Sequence, residues 1–176
     1  MNIRNSVRLT LLATTMVLGA GTASNSLAAT QTSTLNVTAT ITNVCAISTT
    51  NGVAFGAYDP VTANATTPLT ATGTLSVTCT SGATEPVITL GVGNNANVAG
   101  SAAAPQRQMI SAGSLLPYFL YQDAGFSVVW GNTAGSGEGY TGTGTASTLT
   151  VYGSIPAGQN VPAGSYADSV VATVTY

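Results

Sequence analysis

Cys45 and Cys79 are the only side chains in this sequence that can form a covalent cross-link, and few other residues can do chemistry. Asp59, Glu85, Asp123, Glu138 and Asp168 are the only carboxylates, and histidine and lysine are absent. A Ser-His-Asp triad, a histidine metal site and a lysine Schiff base are therefore all excluded. Glycoside cleavage by paired acids would have to draw on those five carboxylates. Asp59, Asp123 and Asp168 lie beside Gly or Pro turns or near a tyrosine, where aspartate ordinarily caps turns. No catalytic residue, cofactor or metal ligand is expected. Tyr118, Phe119, Tyr121, Trp130 and Tyr140 could build an aromatic binding platform, but core packing is the ordinary fate of all but Tyr140, which sits in a Gly-rich loop.

The compartment decides what the two cysteines do. Arg4 and Arg8 precede an apolar run from Leu9 to about Gly19, and small residues lead to Ser26-Leu27-Ala28. That is the pattern of a secretory signal peptide over residues 1–28. The run is short of the roughly 20 residues a membrane span needs, and no later stretch could cross a membrane as a helix. In an exported protein an even cysteine pair reads as a disulfide; there is no C-x-x-C spacing to suggest a redox or metal pair. Loss of the leader leaves Arg107 alone against five carboxylates, one positive charge against five negative, net −4. With no basic patch, nucleic acid and anionic membrane surfaces are excluded as partners.

The elements that must position these residues are strands. Ser33 to Ile47 reads STLNVTATITNVCAI, with Leu35, Val37, Ala39 and Ile41 on one face and polar residues on the other. Such period-2 alternation is the mark of a half-buried strand, here expected over Ser33–Asn43. Further strands are expected after Cys45, at Val53–Tyr58, Leu69–Cys79, Val87–Val92, Arg107–Ile110, Leu115–Gln122 and Leu149–Ile155, while Ser127–Gly131 holds the single tryptophan, Trp130. Asn51-Gly52, Asp59-Pro60, Ser81-Gly82 and Asp123-Ala124-Gly125 supply turns. Asn132–Ser147, nearly all Gly, Thr and Ser, is a loop or a weak edge hairpin. Ser165–Tyr176 reads as one long strand with Tyr166, Val170, Ala172, Val174 and Tyr176 on a shared face. Short strands, frequent turns and no helical period give an all-β sandwich of one domain. The last expected strand ends with the sequence, and a further strand would be needed beyond it.

The order and spacing of several short motifs resemble the spore coat protein U domain. They are Cys45-Ala46-Ile47, Phe55-Gly56-x-Tyr58-Asp59-Pro60, Leu75-x-Val77-x-Cys79 and Leu120-Tyr121-x-Asp123. Tyr152-Gly153-x-Ile155-Pro156-Ala157-Gly158-Gln159, Gly164-x-Tyr166-x-Asp168 and the closing Val170–Tyr176 complete the set. The match runs through the whole mature chain. That family includes subunits of archaic (Csu-like) chaperone–usher pili of Gram-negative bacteria.

The resemblance implies an incomplete immunoglobulin-like β-sandwich lacking its last strand. Residues 29–43 would then be an N-terminal donor strand and residues 44–176 the pilin domain. The groove left open is filled by a periplasmic chaperone and then, at the outer-membrane usher, by the donor strand of an identical or related subunit. Leu35, Val37, Ala39 and Ile41 would enter the groove, and Val170, Ala172, Val174 and Tyr176 would form its edge. Burial of the three large side chains is worth about 5–9 kcal/mol gross. The implied protein is a structural subunit of an adhesive, biofilm-forming surface pilus, exported through the periplasm, with no catalysis and no membrane insertion. The alternative is a secreted adhesin or carbohydrate-binding coat protein in which the first strand closes its own sandwich. Mass spectrometry of the exported protein under non-reducing conditions is expected to find both thiols blocked in one intramolecular bond; two free thiols would contradict the reading of an exported sandwich.

Overall fold

The computed structural model describes residues 28–97 and 99–176, so all but the last residue of the expected leader lies outside the described residues. Among the described residues no helix is long and apolar enough to cross a membrane. The chain divides into a leading unit, Met1–Ala39, and a compact unit, Thr40–Tyr176. The compact unit is all-β. Its elements are β1 (Cys45–Asn51), β2 (Leu69–Cys79), β3 (Val87–Leu90), β4 (Arg107–Ser111), β5 (Ser114–Tyr121), β6 (Glu138–Gly139), β7 (Ser147–Ile155) and β8 (Ala172–Thr175). A single 3-10 turn, Ala134–Ser136, precedes β6.

Five strands form one antiparallel sheet in the order β1-β2-β7-β5-β4, and three form the other in the order β6-β3-β8. The period-2 pattern decides which face of each strand is buried. Along β2, Leu75, Val77 and Cys79 are buried while Thr70 and Thr72 are exposed. Leu116, Tyr118 and Leu120 of β5, Val151 and Ile155 of β7, and Ile88 and Leu90 of β3 complete the core together with Trp130. Asn132–Ser147 forms no hairpin of its own: it is a loop whose two-residue strand β6 pairs at the edge with β3.

Two buried polar groups tie the sheets to each other. Arg107, on the edge strand β4, is fully buried. Its Nε donates to the Gly91 carbonyl (2.7 Å), and one Nη donates to the carbonyls of Leu90 (2.8 Å) and Trp130 (2.9 Å). It thus supplies donors to carbonyls at the end of β3, which would otherwise lack partners in a dry interior. Burial lowers its pKa to about 10. Trp130 does the same from the other direction: its backbone N–H donates to Leu120 of β5 and its indole N–H to Ile88 of β3.

The disulfide joins Cys45 to Cys79. These residues face each other in the β1–β2 ladder, with their Cα atoms 4.1 Å apart. Val44 and Thr80 next to them share a backbone hydrogen bond. The cysteines therefore form a non-hydrogen-bonded antiparallel pair, the closer of the two ladder spacings. The bond fastens β1 to the sheet at its first residue.

Three expectations of strand structure are corrected. Ser33–Asn43 forms no strand: those residues are exposed and pair with nothing, as an extended segment does when it has no neighbouring strand to bond. Val53–Tyr58 is not a strand either. It lies over the inner face of the large sheet, on the two places where that sheet has no Cβ. A Cβ at Gly73 would come within 2.8 Å of Val53, and one at Gly153 within 2.6 Å of Val53 and 2.8 Å of Phe55. Ser165–Tyr176 is not continuous. Ala167 bridges Ile110 at the edge of the large sheet, whereas β8 pairs with β3 in the small one. The segment changes sheets, so no single ladder can hold it.

Two substitutions test this description of the fold. The β4–β5 hairpin turns through Ala112 (φ 45°) and Gly113 (φ 87°), both left-handed, as a two-residue type I′ turn demands. Ala112→Asn is expected to raise stability by about 1 kcal/mol, since asparagine tolerates that region better than alanine, and to raise the melting temperature by a few degrees. Arg107→Met keeps the volume but strands three carbonyls; a loss of at least about 3 kcal/mol is expected in denaturant titrations.

Candidate functional site

The sandwich has an open side. Between the Val53–Tyr58 segment and the Tyr166–Ala172 segment, two clefts of about 350 Å³ and 610 Å³ share Val53, Phe55, Met109 and Tyr166, and together form one trough. Its floor is the core itself. Leu75, Tyr118, Leu120 and Val151 of the large sheet and Leu90 of the small sheet line the first cleft; Leu116 and Ile155 line the second. These floor side chains are themselves 5 % exposed or less, and the trough is a groove that runs over them.

Each wall is held by tyrosine hydroxyls. Tyr58 donates to the Pro156 carbonyl (2.8 Å) and accepts from the Gln159 N–H (2.9 Å), fastening the first wall to the end of β7. Tyr118 donates to the Asp168 carboxylate (2.7 Å), which also accepts from the Asn94 N–H (2.9 Å), and this fixes the second wall. Burial and that bond together raise the Tyr118 pKa far above its ordinary value, so the hydroxyl keeps the proton it donates to Asp168. Tyr166 completes the set by donating to the Pro162 carbonyl. Asp59 shapes the turn after the first wall, with its carboxylate accepting from the N–H groups of Val61 and Thr62. Those bonds and the Thr62 hydroxyl lower its pKa to about 2.

The walls also carry unused backbone groups. Among the described residues, Gly52 to Tyr58 make no backbone–backbone hydrogen bond, and the strand to which they would belong is absent. Apolar floor, unpaired edge and preset walls are the requirements of a site that takes an extended peptide. Among the described residues no cluster of three His, Cys, Asp or Glu could hold a metal.

The expected site residues distribute as follows. Val170 and Ala172 line the trough. Val174 packs on the core beside them, and Tyr176 is exposed. Leu35 (86 %), Val37 (85 %) and Ile41 (85 %) stand in solvent, as does Ala39. Asp59 and Asp123 cap turns, the latter accepting from the N–H groups of Ser127 and Val128. Asp168 instead spans the chain to Tyr118 and Asn94. Of the expected aromatic platform only Phe119 and Tyr121 lie together, with ring centroids 6.1 Å apart. Trp130 and Tyr118 are buried, and Tyr140 packs against the core with its hydroxyl on Ser147. Val53, Phe55 and Met109, which form much of the trough, were not singled out by the sequence; the unused signal was the pair Gly73 and Gly153 inside otherwise regular strands.

Comparison with known proteins agrees with this geometry. A chain of the CsuC–CsuE chaperone–tip adhesion subunit pre-assembly complex, from archaic chaperone–usher Csu pili of Acinetobacter baumannii, superposes with a TM-score of 0.54 at 22 % identity. The superposition covers 78 % of this chain and 40 % of that one. The likeness is one of fold, and it identifies the sandwich as the immunoglobulin-like pilin type. "Protein U" of Myxococcus xanthus is 48 % identical over 92 residues, and the match spans about half (51 %) of each chain. The Spore Coat Protein U domain profile matches residues 31–173, and the chain belongs to that family.

Proposed function

We propose that this protein is a structural, non-catalytic subunit of a surface fibre, built by the chaperone–usher route through donor-strand complementation. The trough receives a periplasmic chaperone's strand first and the leading segment of a neighbouring subunit afterwards, with exchange at an outer-membrane usher. Export to the surface of a Gram-negative cell, and a part in adhesion and biofilm formation, follow from that assembly. The observation that carries the reading is the open trough floored by the core side chains of both sheets. An isolated chain with that seam exposed would aggregate, so something must cover it.

The segment proposed to cover it is residues 29–43. Leu35, Val37, Ala39 and Ile41 alternate with polar residues and point one row of apolar side chains to one side. Ile41 belongs to the same compact unit as the trough and is nevertheless exposed. In a neighbour's trough, three large side chains would contribute about 5–9 kcal/mol gross. The donor backbone would in addition pair with the free groups of Gly52–Tyr58. The curated relative and the solved complex support the reading by family and by fold respectively.

The test separates donor from acceptor. Val37→Asp places a carboxylate where the trough has no partner for it, at a cost of several kcal/mol. Thr38→Asp puts the same charge on the opposite face. With chaperone co-expressed, both variants are expected as soluble chaperone–subunit complexes, and surface fibres are expected to vanish only for Val37→Asp. Normal fibres from both would overturn the donor assignment. Failure of Val37→Asp to fold even with chaperone would place the segment in its own domain's core.

A further inference from the structure

We propose that the outer face of the large sheet carries a binding site for neutral polysaccharide, built from Tyr121, Tyr152, Phe126 and Phe119. The inference is independent of how the trough on the opposite face is filled. Tyr121 of β5 and Tyr152 of β7 are directly opposed in the ladder, and Thr72 of β2 continues the same rank. Phe119 adjoins Tyr121, with ring centroids 6.1 Å apart. Phe126 stands upright against both tyrosines, 5.5 Å from Tyr121 at 87° and 6.3 Å from Tyr152 at 83°. Two tyrosine rings with a perpendicular phenylalanine make an angled cradle on a partly exposed face.

The cradle is built at a conformational cost. Phe126 has φ 53°, a region that a bulky side chain rarely enters, and such strain concentrates at binding sites. The Asp123 carboxylate holds it there, accepting from the N–H groups of Ser127 (3.0 Å) and Val128 (2.7 Å) and from the Ser127 hydroxyl (2.8 Å). Packing alone would not require this arrangement, because a hairpin loop can cover a sheet without left-handed phenylalanine. The hydroxyls give a second, separate indication. Tyr58, Tyr118, Tyr140 and Tyr166 all spend theirs on internal bonds, whereas those of Tyr121, Tyr152 and the exposed Tyr176 make none among the described residues, and of these three only Tyr121 and Tyr152 are cross-strand neighbours in the large sheet.

Charge selects the ligand. Arg107 is the one basic residue of the compact unit and it is buried, so no cation can receive a phosphate, sulfate or carboxylate. Asp123, the one acid at the cradle, is already engaged. What the face offers is ring faces, free phenol hydroxyls and the threonine rank of β2. These complement the apolar C–H faces and the hydroxyl edges of an uncharged sugar chain.

The test is affinity electrophoresis of the full exported chain, purified with whatever protein accompanies it, in gels containing hydroxyethylcellulose, galactomannan or, as an anionic control, alginate. Retardation is expected with at least one neutral polymer and not with alginate. The double variant Tyr121→Thr, Tyr152→Thr is expected to bind at least tenfold more weakly. Phe126→Gly guards against misfolding, since glycine adopts φ 53° without strain; its melting temperature should hold or rise while retardation falls several-fold. The proposal is overturned if neither neutral polymer retards the wild type, or if Phe126→Gly retains wild-type retardation. It is equally overturned if the variants change self-association by sedimentation but leave polysaccharide retention intact, which would make the face a contact between copies.

Discussion

A sandwich is stable only if the inner faces of both sheets are removed from water on every side, and in this chain one side is uncovered. Leu75, Leu90, Leu120 and Val151 come from different strands and both sheets, yet all open onto the same trough. The neighbouring structure is arranged around that gap. The first wall bends over Gly73 and Gly153 and so cannot join the large sheet; the second passes from β4 to β3 and so cannot stay in either. The gap is thus held between two segments that lack a full ladder of their own. Hydrophobic burial is the dominant favourable term in folding, and a strand laid over this trough would restore the part that is withheld.

What keeps such a gap from collapsing is polar. A core this small and this poor in charge has one guanidinium, and it bonds three carbonyls that no strand reaches. Tyrosine hydroxyls then fix the walls through the Pro156 and Pro162 carbonyls, the Gln159 N–H and the Asp168 carboxylate. Each is a directional bond in a setting where apolar contact alone would let the walls close on one another. The disulfide contributes within the large sheet, where it fixes the first residue of β1 to the last of β2.

Much of this was legible in the sequence. β2, β4, β5 and β7 were legible to within a residue or two, β2 from its alternation and β5 from a run apolar on both faces. The cysteine pair and the Asp59 and Asp123 turns followed from residue chemistry. Val53–Tyr58 and Ser165–Tyr176 were overread for one reason: alternation reports which side chains face the core, not whether a neighbouring backbone exists to pair with. Both runs do direct alternate residues inward. In Val53–Tyr58 no partner strand is present, and in Ser165–Tyr176 the partners belong to different sheets. The burial of Arg107 was not legible, because nothing in the local sequence foretells three distant carbonyls.

That same period has a consequence for how the large sheet can work. On β7, Val151 and Gly153 face inward while Tyr152 between them faces out; on β5, Tyr118 and Leu120 face inward while Phe119 and Tyr121 face out. The residues that floor the trough and those that make the aromatic cradle therefore alternate along the same strands, separated by one backbone thickness. A substitution on one face leaves the side chains of the other in register, since only a one-residue slip would exchange them. The glycine that admits Phe55 on the inside, Gly153, lies between Tyr152 and Ser154, whose side chains point outward. The two faces of the large sheet thus make separate demands on sequence.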